Sequence, residues 1–340
     1  MREMACGHCA GISFINAAMH YDHCTLLYNS PAMQILRGLY SPDQQPVALT
    51  IGNFDGVHLG HQALLSEVRA AAKERGLQTA VMVFEPHPRE FFTPQQAPPR
   101  LTSLREKLEL FSVAGMDRVH VCRFNTQFAH MSAADFINGL HEKLHARYVL
   151  IGNDFRFGSG RTGDFALMEE SGSRLGFKVQ ALPAVSHDGV RISSTAVRAS
   201  LLAGQLSEAK SYLGRHYSIS GRVVHGDEMG KKIGFPTANI QLKHNLPPLS
   251  GIYVVQVHAE GLGVLQGVAS LGVRPTVKQD AKPVLEVHLF EFGQQIYGKH
   301  LRVEFLQKLR DEEKYPDVET LIRHIALDVE HAKKWFEQHD

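Results

Sequence analysis

The pattern of hydrophobic and polar positions changes character once along the chain. From residue 47 short β-branched runs alternate with longer stretches of helical period. The apolar run Val47-Ala48-Leu49-Thr50-Ile51 is followed by an amphipathic segment over residues 62–75 and a second apolar run over 79–84. A proline-rich stretch, 85–99, reads as a long loop. Ser103 and Glu106 then form a capping box for a helix that ends near Gly115. A strand near 118–123, a helix near 132–144 and strands at 148–151 and 178–182 complete the series. Such alternation predicts an α/β unit, a parallel sheet of five strands covered by helices, with a helical pair at 195–203 and 207–213 closing it.

Past Gly214 the runs become shorter, alternate strictly and are broken by glycine and proline: 217–224, 252–258, 265–271, 284–290 and 301–305. Five or six strands at that spacing predict a small antiparallel β-barrel. Helical period returns only over 318–338, where Leu321, Ile322, Ile325, Val329, Ala332 and Phe336 fall on one stripe, a packing surface.

Length agrees with two units, since 340 residues are about twice an ordinary domain. The expected division is an extension over 1–32, a first domain over 33–213 and a second over 214–340. Charge narrows the partners. With 36 basic and 35 acidic residues the net charge is +1, which gives no bulk attraction to nucleic acid or to an acidic membrane. No apolar run approaches a membrane span and no signal peptide opens the chain, so the expectation is a cytoplasmic protein, monomer or homo-oligomer, that acts on small molecules. Cys6-Gly7-His8-Cys9 imitates a redox or zinc motif, with His20, His23 and Cys24 nearby, but no second C-x-x-C pair follows. The plainer expectation is a disordered extension ahead of a start at Met33. Cys122, in an apolar run, is expected as a buried strand residue.

Four polar segments carry candidate chemistry. Gly52-Asn53-Phe54-Asp55-Gly56-Val57-His58-Leu59-Gly60-His61 joins the first strand to the first helix, where free backbone N–H groups and the helix dipole favour an anion such as phosphate. His58 and His61 could otherwise be a metal pair or helix-capping imidazoles. Residues 152–164 place Arg156 and Arg161 with Asp154 and Asp164 among four glycines, which suits a nucleotide or a salt-bridged loop equally. In Ile192-Ser193-Ser194-Thr195-Ala196-Val197-Arg198 the hydroxyls are ordinary helix caps by themselves, and Arg198 an exposed helix residue. The fourth segment, from Gly226 through Gly230, Lys231 and Gly234 to Pro236-Thr237-Ala238-Asn239, is a glycine-rich loop that could face phosphate or simply connect a hairpin.

Taken together, the first three segments resemble the nucleotidyltransferase half of the bacterial bifunctional riboflavin kinase/FAD synthetase family: G-x-F-D-G-x-H-x-G-H, G-x-D-F-x-F-G and S-S-T-x-[IV]-R are all matched in order. The fourth resembles the flavokinase signature G-x-x-x-G-[KR]-x-x-G-x-P-T-A-N. The resemblance covers about residues 33–338. It implies a Rossmann-like nucleotidyltransferase domain followed by a β-barrel flavokinase domain ending in a helix. The implied reactions are phosphorylation of riboflavin to FMN by Mg-ATP, then adenylylation of FMN to FAD with release of pyrophosphate.

The same resemblance implies roles. His58, His61 and Arg198 serve the ATP phosphates during adenylyl transfer, with Gly52, Phe54, Asp55, Gly56, Asp154, Arg156, Arg161, Ser193, Ser194 and Thr195 in the nucleotide site. Phe84, Pro86, His87 and Pro88 lie near the flavin. In the second domain Gly226, Gly230, Lys231 and Gly234 face phosphate, Thr237 and Asn239 hold Mg²⁺, and Glu286 is the base for the riboflavin 5′-hydroxyl. Strand alternation sets Glu286 and His288 opposite Leu285, Val287 and Leu289, a pattern a solvent-facing glutamate would share. Arg274, Thr276 and Arg310 are implied flavin contacts, while Ser270-Leu271 departs from the family's usual Asn-Ile or Asn-Leu. The competing readings are a nucleotidyltransferase for another phosphate-bearing substrate, such as a pantetheine or nicotinate nucleotide, and a flavin-binding regulatory protein without turnover.

Overall fold

A computed structural model describes residues 33–226, 229–243, 246–273 and 283–339. The extension with Cys6, Cys9 and Cys24 lies outside the described residues, as do Arg274 and Thr276.

In chain order the first part contains β1 (Gln34–Arg37), β2 (Val47–Ile51), α1 (Leu59–Arg75), β3 (Gln78–Glu85), α2 (Pro88–Phe92), α3 (Leu104–Val113), β4 (Arg118–Arg123), α4 (Thr126–Ala129) and α5 (Ala133–Glu142). It continues with β5 (Ala146–Gly152), α6 (Phe165–Leu175), β6 (Lys178–Leu182), the short pair β7 (Ser186–His187) and β8 (Val190–Arg191), then α7 (Ser194–Leu202) and α8 (Leu206–Leu213). The main sheet runs β1-β4-β3-β2-β5-β6, and every neighbouring pair is parallel. Its order turns about β2: the chain steps outward to β3 and β4 on one side, then returns to β5 and β6 on the other. In such sheets the crevice beyond the carboxyl ends at the turning point receives ligand.

The sheet has six strands where the pattern predicts five. The extra strand, β1, is a four-residue edge with mostly exposed side chains, so it carries no alternating signature. Beside it Arg118, 1% exposed, donates two 2.8 Å bonds to Asp43 and one of 2.9 Å to Ser41, anchoring the segment that follows β1. Cys122 is fully buried in β4, as expected. The 85–99 stretch is more ordered than a loop. It holds α2, whose capping box joins His87 and Glu90, and a turn of 3₁₀-helix at Pro94–Gln96.

The second part contains β9 (Ser218–Val224), α9 (Met229–Lys232), β10 (Ala238–Gln241), β11 (Gly251–Ala259), β12 (Gly263–Val273), β13 (Pro283–Leu289), β14 (His300–Arg310) and α10 (Val318–His339). Its strands close into a barrel in the order β10-β13-β12-β11-β14-β9, all pairs antiparallel. Leu285, Val287 and Leu289 fill the interior beside Ile219, Val223, Val303 and Phe305. The unexpected strand is β10. It is four residues long and is the Ala238-Asn239 end of the glycine-rich segment itself.

Outside the barrel, α10 packs Val329, Ala332 and Phe336 against Ile252, Val254 and Val268. Leu321, Ile322 and Ile325, the first half of the predicted stripe, are only half-buried. What fixes the helix there is polar: Arg310 on β14 donates Nε and Nη2 to the two oxygens of the buried Asp328 at 2.9 and 2.7 Å. The described residues form one compact unit. A single core runs from Leu101, Ile192 and Val197 through Tyr212 and Tyr217 into the barrel.

Phe336 is 3% exposed and meets Phe290 edge-on, so Phe336→Ala should cost about 3–5 kcal/mol, read from urea unfolding. A loss below about 1 kcal/mol would mean α10 does not depend on this contact.

Candidate active sites

Where β2 ends, the chain must turn sharply to start α1. Residues Phe54, Gly56 and Val57 all have positive φ, at 48°, 83° and 41°. Only glycine adopts that region freely, so Phe54 and Val57 are strained positions that their surroundings must hold. Phe54 is fully buried, with its ring 5.3 Å from Phe111 and 4.9 Å from His61. Asp55 turns inward, 3% exposed, and accepts 3.0 Å bonds from Leu101 N and Thr102 N. It also pairs with Arg198 of α7, whose Nε donates to Pro99 O at 2.6 Å. Gly56 N donates to Thr102 Oγ1 at 2.9 Å, and Ser194 Oγ to Asp55 O at 2.9 Å. One buried carboxylate therefore ties together the turn, the end of the proline-rich stretch and α7.

His58 is the N-cap of α1, its Nδ1 accepting from His61 N at 3.4 Å. The capping reading is thus correct as far as it goes. Capping uses only Nδ1, and the neutral imidazole then carries its hydrogen on Nε2. The rings of His58 and His61 stack at 3.7 Å. Burial pushes His58 down to about 4 from 6.5, outweighing the opposing pull of Asp55. Burial, then the repulsion that His58, Lys107 and Arg215 would exert on a charged ring, holds His61 well below its ordinary value. Buried His61 Nδ1 has no hydrogen-bond partner. Two neutral imidazoles thus stand at the positive end of a 17-residue helix, an arrangement that welcomes phosphate oxygens. The metal-pair alternative gains nothing: among the described residues no group of three or more His, Cys, Asp or Glu could hold a metal ion.

The histidines open on a cleft of about 1150 Å³. Gly52, Phe54, Asp55, Asp154, Arg156, Arg161, Ser193, Ser194, Thr195 and Arg198 line it, as do Phe84, His87 and Pro88. Three separated segments and the proline-rich stretch therefore meet in one place. Gly56 and Pro86 do not reach the lining. Gly56 lies behind the turn, where a Cβ would come 2.8 Å from Leu101 Cδ1. Ser193 caps α7 through Ala196 N at 3.2 Å. Arg156 and Arg161 are exposed at the mouth.

Several residues in or behind the lining had no signal in the sequence. Arg191 pairs with Asp154 at 2.6 Å across the mouth, but a lone arginine on a two-residue strand has no periodic context. Arg100 binds Glu85 and Glu90 together and so fixes α2. Phe91, Phe92, Phe124 and Phe128 join Phe84 in an aromatic wall with ring centroids 5.2–6.0 Å apart. The clustered Phe91-Phe92 beside proline was the available hint. The wall offers stacking area for a planar ligand.

A second polar site lies on the barrel's outer face. Asn239, Glu286, Ser270, Ile252 and Arg310 are consecutive register partners across β10, β13, β12, β11 and β14, so they form one transverse row. Glu286 is half-buried between Asn239 and Ser270. Ser270 Oγ donates to Glu312 Oε1 at 3.0 Å, which gives the departing residue at that position a polar partner. The glycine-rich segment folds over the row's near end. A Cβ on Gly226 would collide with the Asn239 amide, and one on Gly230 would sit 3.2 Å from Thr237 Oγ1. The loop backbone thus lies directly against two neutral oxygen donors, a set that suits Mg²⁺, which needs few protein ligands. Lys231 is exposed on α9, and Gly234 follows it at φ +89°. His288 fixes the same loop, its Nδ1 2.9 Å from Pro236 O. Arg310 is held by Asp328, at the far end of the row from Asn239.

Comparison with known proteins agrees with this two-site geometry. The family model for FAD synthetase matches residues 40–196, and that for riboflavin kinase matches residues 213–336. The chain is 44% identical over 308 residues to the bifunctional riboflavin kinase/FMN adenylyltransferase of Escherichia coli (strain K12), covering 89% of this chain and 98% of that protein. It is 45% identical over 307 residues to the protein of the same name from Haemophilus influenzae, covering 89% and 99%. A crystal structure from Streptococcus pneumoniae, named a macrolide-efflux protein, superposes with a TM-score of 0.76 at 28% identity, covering 89% of this chain and all of that one. Among the described residues here, no helix is long and apolar enough to cross a membrane.

The histidines also predict a pH dependence. His58 takes up its second, charging proton in the fold only near pH 4, whereas in the unfolded chain it does so near 6.5. Protons therefore favour unfolding, so stability present above pH 6.5 is lost as pH falls toward 4. In His58→Asn, which keeps a capping side chain, the slope of unfolding free energy across that window should shrink by up to about 1.4 kcal/mol per pH unit. An unchanged slope in urea titrations at pH 6.5, 5.5 and 4.5 would show that His58 is not held neutral.

Proposed function

We propose a division of labour between the two sites on the premise that the chain belongs to the bifunctional riboflavin kinase/FMN adenylyltransferase family. Its function is to phosphorylate riboflavin to FMN with ATP and to adenylylate FMN to FAD with a second ATP. The reading is carried by one observation: the FAD synthetase match contains the residues of the histidine cleft up to Thr195, with Arg198 two residues past its end, and the riboflavin kinase match contains the barrel row. We set the division at Leu213 and Gly214.

In the cleft, an FMN phosphate oxygen attacks the α-phosphorus of ATP while the bond to pyrophosphate breaks, with no protein nucleophile. Catalysis then rests on alignment and on donors aimed at the phosphate oxygens. His58 Nε2–H and His61 are those donors. Arg198, anchored through Nε and Nη2, keeps further N–H groups for the triphosphate. Asp154, Arg156, Arg161 and the Ser193–Thr195 turn surround the nucleotide, and the wall around Phe84, His87 and Pro88 takes the flavin ring. The neutral state of His58 and His61 before binding has a use, since bringing in a polyanion favours proton uptake by either imidazole where negative charge gathers.

On the barrel, Glu286 accepts the proton of the riboflavin 5′-hydroxyl as that oxygen attacks the γ-phosphorus of ATP, the bond from that phosphorus to the β,γ-bridging oxygen breaks and ADP leaves. Gly226, Gly230, Lys231 and Gly234 border the phosphates. Thr237 and Asn239 would hold Mg²⁺, which when bound neutralises phosphate charge. Arg274, Thr276 and Arg310 remain assigned to the flavin side, Arg310 by way of α10. ATP as the co-substrate of both reactions is the reason to place the enzyme in the cytoplasm.

With riboflavin, ATP and Mg²⁺, chromatography should show FMN and then FAD. Glu286→Gln should lower riboflavin phosphorylation by about 100-fold or more and leave adenylylation of supplied FMN within about twofold. Equal loss of both activities would contradict the division.

A further inference from the structure

The strained turn ahead of His58 is held from an unexpected direction. Val57, β-branched and at φ +41°, is a poor occupant of that conformation, and it stays only if its carbonyl and its neighbour's are well bound. The bonds come from Arg215, in the short link between α8 and β9 that leads into the barrel. Its Nη2 donates to Gly56 O at 2.7 Å and its Nη1 to Val57 O at 3.1 Å. Gln62 on α1 completes the arrangement, with Nε2 bonded to Val57 O at 2.9 Å and to Leu213 O at 2.8 Å. Arg215 Nη1 also reaches Leu213 O at 3.2 Å. At the same junction Gly214 lies so close to α1 that a Cβ there would come 2.7 Å from Leu59 Cδ2. A few residues on, Ser220 N of β9 donates at 2.6 Å to Glu106 Oε1, whose other oxygen caps α3 through Ser103 N.

We infer that Arg215 is a positioning residue for adenylyl transfer: its planar fork holds the Gly56 and Val57 carbonyls and so fixes His58 at the start of α1. Two parallel N–H groups spanning two successive carbonyls is a task for arginine, which lysine's single ammonium cannot reproduce. The module that carries the kinase site thereby supplies the brace for the adenylyl site. The inference rests on the assignment of His58 to that site.

The test uses the full-length protein, with FMN adenylylation and riboflavin phosphorylation measured on each variant. In Arg215→Met the kcat for adenylylation should fall by about 10- to 100-fold, because a displacement near 1 Å is enough for such a loss. KM for ATP and FMN should stay within about threefold, since the brace does not touch substrate. Arg215→Lys should recover little of the loss despite keeping the charge, Gln62→Leu should lose about tenfold, and phosphorylation should stay within about twofold in all three. Unchanged adenylylation in Arg215→Met, full rescue by lysine, or both activities falling together would overturn the inference. His58→Asn distinguishes the two levels: if it adenylylates normally, the site assignment fails and this inference with it. If His58→Asn is inactive while Arg215→Met is normal, only the inference fails.

Discussion

A carboxylate buried beside a helix start is costly unless several donors bond it, and the histidine cleft is organised around one that is so bonded. Asp55 takes two backbone N–H groups from Leu101 and Thr102 and the guanidinium of Arg198. Those partners come from the end of the proline-rich stretch and from α7, so one charge closes three distant segments into a single floor. The strained turn at 54–57 and the paired histidines stand on that floor. Arg100, the residue before Leu101, reaches back to Glu85 and Glu90 and so extends the same bracing to the aromatic wall.

The barrel builds its polar row by other means. Register, rather than a buried ion pair, lines up Asn239, Glu286 and Ser270 on neighbouring strands, while the alternate residues Ala238, Val287 and Ala269 form the matching row on the other face. Glycine then lets a loop lie against the row at a distance no other residue allows, as at Gly226 over Asn239. The two solutions differ in rigidity. The cleft depends on a network that must be complete, the barrel on hydrogen-bonded strands that would exist without the site.

How much was legible in the sequence followed from how local each signal is. The sheet and barrel showed because strand and helix periods repeat over many residues, and the capping box at Ser103 and Glu106 because it spans four. Short elements escaped: β1 and β10 have four residues each, too few to display a period. The three cleft segments were recognisable as motifs, and their convergence followed from a parallel sheet's geometry. What Asp55 does was not legible. It sits in the motif and was assigned to the nucleotide, yet its carboxylate is directed to Leu101, Thr102 and Arg198, partners 46 to 143 residues away that only the fold brings close. Arg310 is similar, since its bond to Asp328 crosses from a strand to a helix. The rival reading of a nucleotidyltransferase for another substrate does not account for the riboflavin kinase match over 213–336.

The shared core between α7, α8 and the barrel makes the two sites mechanical neighbours without merging their chemistry. That separation is the central claim, and Asp55→Asn tests it most directly, because the change removes one charge from the hub and almost no volume. Flavin products are measured separately from riboflavin and from FMN. FAD formation from supplied FMN should fall by about two orders of magnitude, from the loss of both Arg198 and the turn, while FMN formation from riboflavin continues at nearly the wild-type rate. Normal FAD formation, or a parallel loss of both reactions, would contradict the account.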